Sequence, residues 1–209
     1  MWGRGASFSS RSPYLMSDPS SQLIERSRQG DLDAFDELVA LHQNRVYNLC
    51  FWQLGQADDA CDAAQDVFIR AWKALESFRG DCAFSTWLHR IALNVTYDAA
   101  RRRNRAPQPF SALPPSAEEG VERDEESPHA DAPDEISLRR ERRNAVRTAL
   151  AALPEHHRTV LVLFDLQGHS YETVSQVLQV PPGTVKSRLN RARLALRRAL
   201  DECRELFDD

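Results

Sequence analysis

The sequence lacks a long apolar segment: its 209 residues contain no run of about 18 apolar residues, the length that a membrane span needs. The N-terminal residues also lack the apolar middle region of a secretory signal. We therefore expect a cytoplasmic protein that does not insert into a membrane. Because 42% of the residues are hydrophobic, the chain can still bury one core or two small ones.

Paired cysteines are also absent. Cys50, Cys61, Cys82 and Cys203 form no CxxC pair, and the six histidines show no ligand spacing to them. We expect reduced thiols, surface histidines, and no metal ion or other cofactor. The sequence contains no Ser/His/Asp arrangement, carboxylate pair or phosphate-binding loop, which favours a protein that is not an enzyme.

The first 15 residues contain arginine, serine and glycine but no acid, and they precede a second methionine, Met16. This composition suits an organellar presequence. An upstream start codon or a disordered tail explains it more simply, and we expect residues 1–19 to be a disordered tail.

Apolar residues recur at helical spacing through most of the chain. Four helical stretches are predicted between residues 20 and 104, of which the second begins near Asp31 and ends at Gly55. The third, about 58–77, carries a narrow stripe of small residues, and the fourth covers about 83–104. The pattern is again helical in the C-terminal third, so the sequence predicts an all-α fold.

The composition changes abruptly between residues 105 and 137. This stretch contains six of the eleven prolines, and nine acids against two bases. It has few large apolar side chains, so burial cannot offset the entropy lost on ordering, and we expect a flexible acidic linker. Two small helical domains would flank it, at residues 20–104 and 138–205.

Positive charge is concentrated near the C-terminus of an otherwise acidic chain. The net charge is -4, yet residues 181–198, PPGTVKSRLNRARLALRR, carry six bases and no acid. Just before them, Ser170 is a plausible helix N-cap, and Pro181 ends a short helix. Residues 170–193 are therefore typical of two helices joined by a tight turn.

The second of these helices has an apolar side and a polar side. Val185, Leu189 and Leu196 fall together at 100° per residue. The opposite side and its edges carry Thr184, Lys186, Ser187, Arg188, Asn190 and Arg191. Arginine and lysine match guanine edges and phosphates, and asparagine matches adenine, which favours contact with the major groove of DNA. A solvated basic face is the alternative, but the preceding helix and turn favour DNA binding.

Two sequence blocks resemble the extracytoplasmic-function (ECF) group of the bacterial sigma-70 family. Residues 149–198, from ALAALPEHHRTVLVLF to KSRLNRARLALRR, are similar to sigma region 4, which recognises the -35 promoter element. Residues 59–103, DACDAAQDVFIRAWKALESFRGDCAFSTWLHRIALNVTYDAARRR, are similar to region 2, which binds core RNA polymerase and opens the -10 element. The resemblance implies a sigma factor that directs polymerase to specific promoters, with core RNA polymerase, promoter DNA and an anti-sigma factor as partners.

The resemblance also implies which residues of region 2 contact each partner. In the family, the helix that holds DAAQDVFIRAW docks on polymerase, and the candidate contacts on it are Asp62, Gln65, Asp66, Ile69, Arg70 and Lys73. The loop FRGDCA and the next helix correspond to the -10 segment, with the candidates Arg79, Gly80, Asp81, Ser85, Arg90 and Asn94. For three aromatic residues nearby the sequence allows either core packing or a role in an interface: Phe68, Trp72 and Trp87.

In the family the linker passes through the polymerase toward the RNA exit channel. A flexible chain of 33 residues spans roughly 30 Å on average and about 110 Å at most. Promoter boxes about 17 base pairs apart are separated by roughly 58 Å of duplex. A stretched linker can therefore connect two domains that are bound to both boxes.

Two features depart from the family pattern. Gln179 stands where the helix turn often has glycine, so it must adopt a left-handed backbone or shift the turn by one residue. Pro182 beside Pro181 is also unusual. The alternative function is a helix-turn-helix regulator that does not associate with polymerase, and the two region 2 motifs disfavour it.

Overall fold

The computed structural model describes residues 20–105 and 133–201, with their side chains except at 104–105 and 133–137. Every regular element in these ranges is helical, which confirms the all-α prediction. The α-helices are α1 (Ser21–Arg28), α2 (Leu32–Leu54), α3 (Ala57–Ala74), α4 (Phe84–Arg105), α5 (Pro133–Ala152), α6 (Glu155–Leu161), α7 (Tyr171–Leu178) and α8 (Pro182–Leu200). A 3₁₀ segment, Leu75–Ser77, follows α3, and a π-helical turn, Val162–Leu166, extends α6.

Helices α1 to α4 form the N-terminal unit, and local sequence signals set the ends of α2. The Asp31 carboxylate accepts a hydrogen bond from the Ala34 backbone N–H at 3.1 Å. This bond, with a second from Arg26, lowers the pKa of Asp31. At the other end Gly55 has φ 79°, a left-handed backbone that glycine adopts without strain. Both ends of the helix agree with the sequence prediction.

The core of the N-terminal unit lies where α2, α3 and α4 meet. The buried stripe of α3 is narrow: Ala60, Ala63, Val67 and Ala71. Small side chains at these positions let the neighbouring helices approach closely. Trp72 borders the stripe and packs edge to face on Phe35, with ring centroids 4.9 Å apart.

Helices α5 to α8 form the C-terminal unit, which starts earlier than predicted. Helix α5 begins at Pro133, whereas the sequence predicts a linker that extends to residue 137. Proline at the first helical position and acids in the first turn both favour a helix N-terminus, which explains the difference. The rest of the predicted linker, 106–132, and the predicted N-terminal tail, 1–19, lie outside the described residues.

Helices α7 and α8 form the predicted helix-turn-helix. The Ser170 hydroxyl caps α7 by accepting a hydrogen bond from the Thr173 backbone N–H at 3.1 Å. Gln179 has φ 55° and ψ 41°, so it adopts the left-handed backbone directly and the turn does not shift. That conformation costs a non-glycine residue roughly 1–2 kcal/mol. Helix α8 then begins at Pro182.

The two units contact each other directly, and this contact buries a histidine. His89 on α4 is 2% exposed, and its ring lies edge to face on His169 of the C-terminal unit, with centroids 4.8 Å apart. The expectation of surface histidines is therefore wrong for His89. Burial, reinforced by His169, His42 and Arg45, lowers the pKa of His89 to about 3.

Lowering the pH should destabilise the fold through His89. Its pKa is 6.5 without the folded environment and about 3 within it, so the unfolded chain binds more protons between these values. The free energy of unfolding should fall by up to about 1.4 kcal/mol per pH unit below about pH 6.5. Urea unfolding at about pH 7.5 and about pH 5.5 measures the loss. Between these pH values a His89→Phe variant should lose less free energy of unfolding than the wild type. An equal loss in both proteins would show that His89 is not the group responsible.

Candidate DNA and polymerase interfaces

Helix α8 buries one side in the C-terminal unit and leaves the other to solvent. Val185, Leu189 and Ala192 are buried. Around the solvent-facing half lie the six predicted -35 contacts, which we call the α8 surface: Thr184, Lys186, Ser187, Arg188, Asn190 and Arg191. Thr184 and Arg188, at its edge, are half-buried, and the other four are exposed.

Neighbouring side chains position the edges of the α8 surface. The Lys186 ammonium lies 5.2 Å from the centroid of the Tyr171 ring on α7. Arg193, further along α8, pairs with Asp165 of the π-helical turn, with Nε 3.0 Å from Oδ2, and this hydrogen bond raises the pKa of Arg193. Arg193 therefore attaches the helix to its own unit, whereas Arg191 is exposed to solvent.

Tyr97 on α4 contacts the C-terminal unit. Its hydroxyl lies 3.0 Å from the Thr159 hydroxyl of α6. Burial raises the pKa of Tyr97, and the hydrogen bond to Thr159 acts against that rise.

Helix α3 presents an apolar residue surrounded by charge. The six predicted polymerase contacts lie off the alanine stripe, and we call them the α3 surface: Asp62, Gln65, Asp66, Ile69, Arg70 and Lys73. Ile69 is 53% exposed. Beside it, Arg70 pairs with Asp66 at 2.9 Å and with Asp98 of α4 at 3.4 Å, and the Asp66 hydrogen bond raises the pKa of Arg70. An apolar centre with a charged rim is the usual anatomy of a protein–protein interface.

The predicted -10 residues separate into two groups. One group lies at the N-terminal end of α4: Arg79, Gly80, Asp81 and Ser85. Arg90 and Asn94 lie about 8 and 14 Å further along the helix axis, and Asn94 is on the opposite side of the helix from Ser85. Gly80 also has φ 74°, so its loop requires glycine for a backbone reason.

Arg90 is engaged with the C-terminal unit. Its Nε and Nη2 atoms both donate to the backbone carbonyl of Gln176 on α7, at 3.2 and 2.9 Å. Contact between this guanidinium and DNA would require both bonds to break. The structure therefore does not place Arg90 with the first group of -10 residues.

Comparison with known proteins identifies both units. Residues 38–106 match the family model "Sigma-70 region 2", and residues 143–196 match "Sigma-70, region 4". The RNA polymerase sigma-H factor of Pseudomonas aeruginosa is 40% identical over 89% of this chain and 96% of its own length. The ECF RNA polymerase sigma factor SigW of Bacillus subtilis is 36% identical over 85% of this chain and 94% of its own length. This chain belongs to the ECF sigma factors of the sigma-70 family.

A solved structure supports the same assignment for the fold. CnrH, in complex with the cytosolic domain of CnrY, is 28% identical to this sigma factor, with a TM-score of 0.63. The match covers 87% of this chain and 96% of CnrH. The prediction of an all-α sigma factor with regions 2 and 4 is confirmed.

The sigma factor has a groove beside the α3 surface that the sequence analysis missed. The groove is about 390 Å³ in volume, and Asp62 and Asp66 line one side of it. Arg102 and Arg103 line the other side, and Arg103 lies 3.5 Å from the Asp59 carboxylate. The run of arginines at the end of α4, opposite the acidic start of α3, is the signal that could have indicated it.

Phe68, Trp72 and Trp87, for which the sequence does not decide between core packing and an interface role, pack against the core of region 2. Trp87 is half-buried, with its ring centroid 5.1 Å from that of Phe78 and 5.5 Å from that of Phe84. Phe68 and Trp72 also contact the core. Phe78, Phe84 and Trp87 pack on one another on either side of residues 79–83.

Three further features concern the described residues alone. No group of three or more histidine, cysteine or acidic side chains in residues 20–105 and 133–201 is arranged to hold a metal ion. In the same ranges no helix combines the length and the apolar character of a membrane span. Cys50 and Cys82 are buried there, and burial raises the pKa of both thiols, whereas Cys61 is exposed.

Proposed function

We propose that this sigma factor attaches to core RNA polymerase through the α3 surface and recognises the -35 element through the α8 surface. Its -10 loop, with the start of α4, then holds and helps to open the -10 element. The observation that carries the proposal is the pairing of two surfaces in one chain. One is an apolar centre ringed by charge, and the other is a basic face on the second helix of a helix-turn-helix.

The α3 surface suits a protein partner because it combines Ile69 with a charged rim. Full burial of an isoleucine side chain on docking contributes about 1.5–3 kcal/mol. Charged rim residues chiefly set the orientation and the rate of encounter. Asp66 and Arg70 are already paired, so their side chains are ordered before the partner arrives.

The α8 surface suits duplex DNA because its exposed side chains match base edges and phosphates. Asn190 and Arg191 are exposed near the middle of the helix, where they can reach bases in a major groove. Arg197 is exposed closer to the C-terminal end of the helix, where a phosphate contact is expected.

The -10 loop suits a single strand because its polar side chains stand beside a rigid aromatic core. Arg79 and Asp81 are exposed and Ser85 is half-buried. A base that leaves the stack needs hydrogen bonds to its edge and a firm pocket wall. The rings of Phe78, Phe84 and Trp87 provide a firm support under that loop.

The sigma factor carries no active site of its own, and the chemistry belongs to the polymerase. It acts in the cytoplasm, where the polymerase and the promoter are found. A regulatory partner is also expected, because CnrH was solved in complex with the cytosolic domain of CnrY. An anti-sigma factor that covers the α3 and α8 surfaces would block both polymerase and DNA.

Replacing Ile69 with alanine should weaken binding to core RNA polymerase by about tenfold or more. The reason is the loss of apolar burial at the centre of the interface. Because Ile69 is exposed in the free chain, the free energy of unfolding should change by less than about 0.5 kcal/mol. Titration of labelled sigma factor with core polymerase measures the affinity. The control is Leu32→Ala on α2, since Leu32 is 62% exposed and belongs to a different helix. Equal affinities of the two variants would contradict the proposal.

Replacing Arg191 with alanine should weaken promoters according to their -35 sequence. An Arg197→Ala variant should instead weaken them about uniformly, as the loss of a phosphate contact would. Transcription from a set of promoters that differ only in the -35 element separates the two effects. Identical profiles for the two variants would show that the face assignment is wrong.

A further inference from the structure

Two neighbouring aromatic rings lie beside α8, and we call them the aromatic pair. Phe164 belongs to the π-helical turn and Tyr171 is the first residue of α7, and their ring centroids lie 4.5 Å apart. Both side chains are half-buried and pack against the hydrophobic core. The fold of region 4 therefore determines where the two rings lie.

Each ring of the aromatic pair contacts a cation from α8. Lys186 Nζ lies 5.2 Å from the centroid of the Tyr171 ring. The guanidinium carbon of Arg193 lies 5.6 Å from the centroid of the Phe164 ring. Both distances fall within the range of about 6 Å over which the face of an aromatic ring attracts a cation. The aromatic pair thus contacts α8 at two points.

The two cations lie along one edge of α8. Lys186 and Arg193 are separated by almost two helical turns, or about 10.5 Å of rise, so they project in nearly the same direction. Two contacts at this separation fix the rotation of α8 about its own axis. That rotation determines which side chains of the α8 surface can face the DNA.

The charges of these two cations are in different surroundings. Arg193 pairs with Asp165, with Nε 3.0 Å from Oδ2 and Nη2 donating to Oδ1, so a carboxylate matches its charge. Lys186 lies against a neutral ring, which attracts the ammonium without neutralising it. Lys186 is also exposed, so its charge can meet an anion from the solvent side.

We infer that Tyr171 is a positioning residue for -35 recognition. Its ring holds the Lys186 side chain at the edge of the α8 surface, where the ammonium contacts a phosphate of the -35 duplex. Phe164 and Arg193 fix the other end of the same edge. The inference deepens the proposed function and rests on it, since Lys186 acts in this way only if α8 lies in the major groove.

A phosphate is the partner that this arrangement favours for Lys186. In a helix-turn-helix the second helix lies in the major groove, while the first crosses the DNA backbone. A side chain of α8 that leans on α7 is therefore beside the backbone rather than over the base edges. The ammonium of lysine is a compact charge, which binds phosphate without the fixed planar geometry of arginine.

The Tyr171 ring also lowers the entropic cost of that contact. A lysine side chain has many rotamers and loses this freedom when its ammonium is held by a phosphate. Because the ring already confines Lys186, less freedom remains to be lost when DNA binds. Leucine at position 171 would fill much of the same space but would offer no aromatic face to the cation.

The two lysines of the chain allow a direct test of the contact. Lysine occurs only at positions 73 and 186, so isotope labelling of lysine gives two sets of side-chain NMR signals, which Lys186→Met assigns. In the free full-length chain the Hε protons of Lys186 should lie upfield of those of Lys73, because they lie over an aromatic ring. The difference should persist in Tyr171→Phe and disappear in Tyr171→Leu.

The salt dependence of promoter binding tests what the contact does. Holoenzyme assembled from core polymerase and each full-length variant is titrated onto a promoter duplex at a series of KCl concentrations. Each phosphate contact contributes about 0.9 to the slope of log affinity against log salt concentration. Lys186→Met should reduce the magnitude of the slope by about 0.9, and Tyr171→Leu by up to about the same value. Tyr171→Phe should keep the wild-type slope.

A double-mutant cycle separates positioning from simple packing. Tyr171→Leu should weaken promoter binding several-fold in the wild type, but by less than about twofold when Lys186 is already replaced by methionine, because the ring then has no charge to hold. The matched control is Arg197→Ala, which removes the phosphate contact expected nearer the end of α8. Its effect should simply add to that of Tyr171→Leu. A purely structural role of Tyr171 would weaken binding equally in all three backgrounds.

Two outcomes would overturn the inference. One is a wild-type chain in which the Hε protons of Lys186 are not upfield of those of Lys73. The other is a Tyr171→Leu variant, folded by circular dichroism, that keeps the wild-type slope and couples no more strongly to Lys186→Met than to Arg197→Ala. If Tyr171→Leu does not fold, an unchanged slope in Lys186→Met overturns the inference instead.

Failure of the proposed function would give a different result. The wild-type holoenzyme would then bind a promoter with a scrambled -35 element as tightly as the intact promoter. The inference alone fails when the wild type distinguishes these two promoters but Tyr171→Leu keeps the wild-type slope.

Discussion

Burial of Val185, Leu189 and Ala192 fixes the side of α8 that faces solvent, and DNA recognition depends on this constraint. A helix that packs one face into a core must present the opposite face to a partner. The same holds for α3, where the buried alanine stripe leaves Ile69 exposed on the other side. In each unit the residues that form the core therefore also determine which side chains are exposed and can contact a partner.

Charge alone does not reveal which arginines are available to DNA. Arg158 caps α5 and joins the units, and Arg193 pairs with Asp165. Arg90 is bound to a backbone carbonyl of region 4. Arg191 and Arg197 are exposed on α8. The basic helix α8 thus contains both a paired arginine and solvent-exposed ones, and only their surroundings separate the two.

The sequence could predict features that depend on a few neighbouring residues. The N-cap at Ser170, the start of α2 near Asp31 and its end at Gly55 follow from local backbone chemistry, and they agree with the structure. The face assignments on α3 and α8 follow from helical periodicity. The signal for the earlier start of α5 also lies in neighbouring residues, because Pro133 is followed by acids that suit the first turn of a helix.

Contacts between distant parts of the chain could not be predicted in this way. The burial of His89 comes from its packing with residues of α2 and with His169 in the other unit. The carbonyl that binds Arg90 is 86 positions further along the chain. No periodic pattern within one helix carries this information, although these contacts join the two units.

The most direct test of the account is run-off transcription by core RNA polymerase over a library of random promoters, sequenced with and without the sigma factor. The account predicts that the sigma factor enriches templates with two short sequence blocks at a fixed separation, because two linked units each recognise one block. Enrichment of a single block, or no enrichment above core polymerase alone, would contradict it.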